Sequence, residues 1–429
     1  MKRNLIICII LFTIIVPFMF GCSNNPLINS TDNAANASAF EYKTFSNHVE
    51  ITDVKNHNDV LTIPSEYNGK PVTRIAPGAF YNDANLKKIT FPDSIIGIYN
   101  DAFLSCKNLT EIDFGNGLQT VGDFAFADCN SLSSIYIPKS VVSIGSNALL
   151  GTKKLTKIEV AADNPKFTVM DGILYSKDRT QIVRCPVNKS VDNYKIPSTV
   201  KDIGDCSFSY NLSIKTINIP ENVTRIGDNA FESDTNLNNI SFPNKLSYIG
   251  DNALHHTAWI DRQNEEFVTI NKNFLIAWKG TGDTFDIPQG ITHVSWCHDS
   301  NILIRTTNVP KSVCDLSQKT ISSASIINVD SENKTYLMID NTLYNHDKTR
   351  LIYAFFTETD YTVPNNVIEI CAFKVIPMRS IVIPDSVKKI PPYLFSNAKY
   401  TNTKFSIYCH AGSYAEKYAK EYGFSYVLQ

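Results

Sequence analysis

The sequence predicts a β-rich solenoid: a curved stack of parallel strands with about 23 residues per coil, β-hairpin insertions and a C-terminal capping helix. Two observations predict it. Shifted by 23, the sequence brings Phe80, Phe103, Phe126 and Leu149 into register, and later Phe208, Phe231 and Leu254. The five letters Ile-Gly-Asp-Asn-Ala also stand at 226–230 and again at 249–253. Self-similarity at a short fixed period marks an array whose units cannot bury their apolar edges alone.

Composition agrees with a folded body. At 43% apolar and 19% charged residues, the chain is too apolar for disorder, and its 18 Gly and 19 Pro are too few for low complexity. Lys2 and Arg3 precede an apolar run from Leu5 to Phe20 that ends at Gly21-Cys22, so residues 1–21 read as an export signal. The run is short for a membrane span. Met19-Phe20-Gly21-Cys22 is similar to a bacterial lipoprotein cleavage box, which implies Cys22 as the lipid attachment site, although Met19 replaces the usual Leu and Phe20 is bulky. A plainly cleaved signal or an uncleaved anchor would also export the chain. Residues 22–39 lack large periodic apolar side chains and read as a flexible tether.

Loss of residues 1–21 leaves 38 basic against 42 acidic residues, which disfavours nucleic acid as a partner.

Each unit has the form L-x-x-I-x-[IF]-P-x-x-[VI]-x-x-I-G-x-x-A-F. Copies start at Leu86, Leu109, Leu132, Leu155, Ile214, Leu237 and Met378. The I-x-[IF] core predicts a short strand with alternate residues inward, and Pro ends it because it cannot donate to a ladder. Aliphatics three apart after the Pro, as in Pro138, Val141 and Ile144, line the opposite wall. Gly122, Gly145, Gly204, Gly227 and Gly250 are expected at positive φ, where the backbone turns. About a dozen coils are expected. Cys106 and Cys129 each follow a Phe by three residues and read as small buried side chains, with a disulfide between stacked neighbours as the alternative.

These units resemble leucine-rich repeats, and the I-P and I-G-x-x-A-F segments resemble the BspA-like subclass of bacterial surface proteins. The usual Asn or Cys ladder is missing from the place where Ser94, Ser140 and Asn222 stand. Residues 40–80 are similar to the opening cap and first coil of such arrays, 81–409 to the solenoid itself, and 410–429 to a closing cap. In the closing cap, Ser413 and Glu416 form an S-x-x-E capping box, Tyr414, Ala415, Tyr418 and Ala419 share one helix face, and Gly423 stands at the C-cap. Insertions near 164–195, 264–287 and 331–362 resemble one another and read as hairpins, the first turning at Asp171-Gly172.

Motifs for chemistry are sparse. His255-His256 has no H-E-x-x-H context and reads as a corner; Lys279 to Phe285 reads as a hairpin tip; Glu265 and Glu266 would point to opposite sides of a strand. No metal, cofactor or catalytic set is expected. The candidate ligand-binding face consists of outward strand positions and their neighbours: Thr90, Glu111, Asp113, Tyr136, Lys157, Glu159, Asn218 and Ser241, continuing to Val382 and Ser406. In-register stacking would lay these about 4.8 Å apart. The resemblance implies an exported, membrane-anchored lipoprotein on the bacterial surface that adheres, as a monomer, to an extracellular protein or glycan. A passive envelope protein remains open, as does a polysaccharide-active enzyme using Asp113 and Glu159.

Overall fold

The computed structural model describes residues 37–189, 194–295, 303–355, 359–373, 378–392, 394–395 and 405–429. The export signal, Cys22 and residues 22–36 of the expected tether lie outside the described residues. Ala39, at the end of the expected tether, is buried, and its C=O accepts the Lys55 N–H at 2.7 Å.

The chain winds as a β-solenoid of about 15 turns spaced about 23 residues apart, more than the dozen expected. Its front wall is built from the predicted I-x-[IF] strands. Val60–Thr62, Lys88–Thr90 and Glu111–Asp113 pair in parallel, as do Ser134–Ile137 with Lys157–Val160 and Thr216–Asn218 with Asn239–Ser241. Further on come Thr284–Asp286, Thr306–Val309 and Ile326–Val329, then Asp360–Thr362, Ser380–Val382 and Ser406–Cys409.

The back wall is made of two-residue strands such as Ser143–Ile144, Arg225–Ile226 and Tyr248–Ile249. It falls into four sheets, each opened by an antiparallel hairpin. The first hairpin is Phe40–Thr44 with Val49–Val54. The others are the three insertions: Phe167–Met170 with Ile173–Ser176, Phe267–Ile270 with Phe274–Trp278, and Tyr336–Ile339 with Thr342–Asn345. All three insertions turn through two consecutive positive-φ residues, Asp171-Gly172, Asn271-Lys272 and Asp340-Asn341, as tight hairpins with right-handed strand twist require. Residues 279–283 are therefore a connection from the second hairpin to the next front-wall strand. They are not the hairpin tip expected from sequence.

Between the walls lies the core. Phe80, Phe103 and Phe126 are fully buried and stack in turn, with ring centroids 4.4 and 5.1 Å apart; Phe208 and Phe231 repeat this at 5.2 Å. The period-23 aromatics thus form columns in which each coil shields the next.

The corner glycines do not act as the sequence suggested. Gly227 and Gly250 lack positive φ; a Cβ on Gly227 would lie 2.2 Å from Asp205 Oδ1, and one on Gly250 would lie 2.1 Å from Asp228 Oδ1. Glycine is required here for close approach between coils. The left-handed residue is the one after the Asp: Asn229 and Asn252, each with φ 53°. Asparagine tolerates that region better than most residues.

A polar ladder also exists, at a place other than Ser94, Ser140 and Asn222. It runs three residues after each Phe or Leu of the aromatic column. Asp83 Oδ1 accepts Asn85 N–H at 2.9 Å, Cys106 Sγ donates to Phe80 C=O at 3.1 Å, Cys129 Sγ to Phe103 C=O at 3.3 Å, and Thr152 Oγ1 to Leu149 C=O at 2.8 Å. Asn211, Asp234 and Thr257 continue it, all fully buried. These side chains satisfy backbone groups that the turn into the next coil would otherwise leave unpaired.

The described residues include three helices. α1 (Ala258–Asp261) is a single turn and α2 (Gln318–Ser323) has six residues. α3 (Tyr414–Tyr422) closes the array. Ser413 Oγ accepts Glu416 N–H at 3.1 Å, whereas Glu416 Oε2 reaches back to Gly412 N–H at 2.6 Å, one residue before the position a standard capping box would use. Gly423 is left-handed at φ 65°. Ala415, Tyr418 and Ala419 seal the last coil, but Tyr414 is 36% exposed and stands off that face. Beyond the helix, Ser425–Leu428 adds an exposed strand in parallel to Ser406–Cys409.

Candidate functional site

The front wall places the sequence-derived candidates in register but breaks them into groups. Thr90 lies opposite Asp113, extending back to Thr62. Two residues earlier, on the same face, Lys88 Nζ meets Glu111 Oε1 at 2.6 Å. Tyr136 lies opposite Glu159 in the next sheet and is 53% exposed; Glu159 is held by Lys157 at 2.8 Å. Asn218 lies opposite Ser241, whose hydroxyl donates to Asn218 Oδ1 at 3.0 Å. The strands carrying Asp113 and Tyr136 belong to different sheets, and the first insertion separates Glu159 from Asn218.

Ser406 does not continue this row. Val382 pairs with Tyr408, and Ser406 faces Ser380 two residues earlier, because the two strands align as 380–382 with 406–408. The outward row there is Thr362, Val382 and Tyr408.

Sequence reasoning also missed a stretch of the wall. Asp286, Asn308 and Asn328 lie side by side, Asn308 Nδ2 donating to Asp286 Oδ1 and Asn328 Nδ2 to Asn308 Oδ1 at 2.7 Å. The signal was available in Phe285-Asp286-Ile287, Thr307-Asn308-Val309 and Ile327-Asn328-Val329, which follow the inward-outward-inward alternation of a strand.

The other polar concentration is on the back corner. Arg225 reaches Asp202 at 3.0 Å and Asp205 at 2.5 Å, and its guanidinium lies over the Tyr248 ring at 5.2 Å. Burial alone would lower the Arg225 pKa, but the two carboxylates outweigh it and hold it above its ordinary value. Burial pushes the Asp228 carboxyl up, against the hydroxyl that Tyr248 donates to it at 3.1 Å. These groups are consumed by one another and by the stack.

Asp113 and Glu159 both stand exposed on an open wall, two coils apart and without an enclosing cleft. Glu266 accepts the Trp278 indole N–H at 3.0 Å and so braces the second hairpin. His255 and His256 stack on each other at 3.8 Å, His256 exposed at φ 56°. Among the described residues, no group of three or more His, Cys, Asp or Glu side chains is placed to hold a metal ion, and no helix is long and apolar enough to cross a membrane. The seven cysteines described are free thiols, Cys106 and Cys129 among them, so the disulfide alternative is not formed.

Several solved structures are similar in fold. A leucine-rich repeat protein from Eubacterium ventriosum shares 21% identity over 68% of this chain and 82% of its own, with a TM-score of 0.42. A leucine rich cell surface protein from Faecalibacterium prausnitzii shares 20% over 68% and 93%, with a TM-score of 0.34. The pneumococcal vaccine antigen PcpA shares 18% over 91% and 97%, with a TM-score of 0.37. No curated protein matches the chain. The BspA type leucine rich repeat region matches in six copies, over residues 68–170, 187–275, 268–402 and 352–415. With these matches spanning well over half the chain, and the inward strand, the proline stop and the buried column recurring along it, the protein belongs to the BspA-type leucine-rich repeat family.

Proposed function

We propose that this chain is a non-enzymatic binding protein of the bacterial cell surface, anchored through a lipid on Cys22 and presenting its front wall to an extracellular protein or glycan. One observation carries the reading. Outward strand positions recur on the front wall in three groups, Thr90 with Asp113, Tyr136 with Glu159, and Asn218 with Ser241, and Tyr136 stands 53% exposed in the second of them. The back corner is occupied by its own ion pairs, and the interior is closed by the aromatic columns. An exposed Tyr flanked by opposite charges is suited to recognition, since aromatic residues supply rigid contact area at low entropic cost. The open setting of Asp113 and Glu159 supports binding over catalysis, because glycoside cleavage needs two carboxylates converging on one bond.

The test is an array of matrix proteins and glycans probed with residues 23–429. Saturable binding that is lost in the Tyr136→Ala, Glu159→Ala double variant is expected. A blank array would assign a passive envelope role instead. Incorporation of labelled fatty acid that disappears in Cys22→Ala is the expected result for the anchor, and unchanged labelling would remove it.

A further inference from the structure

The front wall loses a strand between Asn239–Ser241 and Thr284–Asp286. In the coil between them, α1 takes the place of the turn that leads into the strand, and residues 262–264, in register with Asn239–Ser241, form no strand. Thr257 starts the helix by accepting Ile260 N–H on its hydroxyl at 3.2 Å. Trp259 N–H donates to Leu237 C=O at 2.8 Å, which ties the first turn to the root of the Asn239–Ser241 strand. Beyond that tie, strand and helix border an open notch of about 420 Å³, lined by Asn218, Asn239, Ser241, Trp259, Arg262 and Gln263 among others.

Two features of this notch bear on what it can bind. The first is a free strand edge. Asn239 N–H donates to Lys215 C=O and Ser241 C=O accepts Ile219 N–H, so the alternating backbone groups at Ile240 turn the other way, toward the notch, where no described strand pairs with them. The second is its chemistry. The lining combines an indole with several side-chain amides, a hydroxyl and one guanidinium, and includes no carboxylate. A side-chain amide carries donors beside an acceptor, matching neighbouring sugar hydroxyls; Gln263 Nε2 spends one hydrogen on Trp259 C=O at 2.9 Å and keeps its second N–H and its Oε1, and the indole offers an apolar body with a polar tip. A planar guanidinium pairs a carboxylate through two parallel bonds.

We infer that this notch is a saccharide subsite for a short glycan segment bearing a carboxylate, with Arg262 on the acid, Trp259 on the apolar ring face, and Asn239, Gln263 and the Ile240 edge on the hydroxyls. It deepens the binding role proposed above and rests on it. The volume lies within the range of small-ligand sites, about 300–1,000 Å³. A peptide strand added to the same edge would need a gap of about 4.8 Å along its whole length. The Trp259 to Leu237 bond closes that gap at one end, which favours a compact ring over an extended chain. Without a carboxylate in the lining the notch cannot supply an acid–base pair, so it binds and does not cleave.

A hyaluronan tetrasaccharide, sialyllactose and chitotetraose, titrated into residues 23–429 by calorimetry and saturation-transfer NMR, test this. Trp259 packs edge-on against Phe242 at 5.4 Å, so its removal would disturb the fold. The exposed residues Arg262 and Asn239 carry the test instead. At least one acidic sugar should bind more tightly than chitotetraose. Arg262→Gln should weaken the acidic sugar about tenfold and leave chitotetraose unchanged, while Asn239→Ala should weaken both. Absence of binding by all three sugars, or binding indifferent to both variants, overturns the subsite. So does recovery from a displayed peptide library of binders lost in these variants when no sugar binds. If the subsite fails while the array still shows saturable, Tyr136-dependent binding, the broader role stands; a blank array removes both.

Discussion

Asp228 Oδ1 accepts the backbone N–H of Asp251 in the next coil at 2.9 Å, and Asp205 does the same for Asp228 at 3.0 Å. This contact holds successive corners close enough that Gly250 has no room for a side chain: a Cβ there would lie 2.4 Å from the Asp228 backbone N. Gly250→Ala is therefore expected to cost about 2–4 kcal/mol in denaturant unfolding. Gly290, at φ +89° with nothing within 4 Å of the place a Cβ would take, isolates the other glycine effect. Its replacement by Ala should cost only about 1 kcal/mol, from left-handed backbone strain. If Gly290→Ala proved the more damaging, close stacking would not be why Gly250 is there.

The buried Asn of the first and third insertions gives a matched pair of sites. Asn164 Nδ2 donates to Pro138 C=O at 2.8 Å and Val141 C=O at 3.0 Å, while its Oδ1 accepts Lys166 N–H and Phe167 N–H, each at 2.8 Å. Asn333 repeats this with Pro310, Val313, Thr335 and Tyr336. Each amide ties an inserted hairpin to the coil before it. Asn164→Ala and Asn333→Ala should each cost about 2–4 kcal/mol, since truncation strands several buried backbone groups. Asn→Asp should cost a similar amount at neutral pH, because a carboxylate cannot donate to the two carbonyls. Equal losses at the two sites, measured by hydrogen exchange in the adjoining hairpins, are the expected outcome.

Much of this was legible because a solenoid writes its core once per coil. Phe103 and Phe126 announced themselves by recurrence, and the strand alternation around Tyr136 followed from period two. What the sequence hid were the roles that depend on the neighbouring coil. Gly227 and Gly250 look like turn residues in one copy and show their purpose only against Asp205 and Asp228. The Phe-x-x-Cys spacing at Cys106 and Cys129 was visible, but that Asp83, Asn211 and Asp234 occupy the same place needed the stacked backbone. In the site, Asn218 and Ser241 were found by alternation. Trp259 and Arg262 were not, because Ala258–Asp261 departs from the repeat and only the fold shows that the strand due at 262–264 is missing.

The ladder thiols yield a reactivity prediction. Burial pushes the Cys106 thiol up to about 12, and burial holds Cys129 well above its ordinary value. Both donate to carbonyls in the coil before and are buried; Cys314 donates likewise to Thr292 C=O at 3.4 Å, and partial burial raises its pKa too, but it is exposed to solvent. Thiolate is the reactive form, so an alkylating reagent near pH 8 should modify Cys314 in the native protein and leave Cys106 and Cys129 untouched until denaturant is added. Peptide mapping by mass spectrometry reads this directly. Native modification of Cys106 at a rate near that of Cys314 would show that the aromatic column opens locally.

Glu369 supplies a pH dependence of known sign. Its carboxylate receives Lys389 Nζ at 2.7 Å and Arg350 Nε at 2.8 Å, clasping the coil before and the coil after. Burial pushes its pKa up, but the Lys389 hydrogen bond and the Arg350 charge together outweigh that and hold it below the ordinary 4.5. A carboxylate depressed in the folded state contributes stability that is present above its unfolded pKa and lost as pH falls through the folded one. Both cations are more than half exposed, so solvent screening limits the contribution to about 0.5–1 kcal/mol. Glu369→Gln should therefore be destabilised by that amount at pH 7, with the deficit shrinking as pH falls below the ordinary 4.5 and on through the lower folded value, and weakening in high salt. Denaturant midpoints of the two proteins between pH 7 and pH 3 would check it, and a deficit of constant size across that range would mean that Glu369 acts through packing and not through charge.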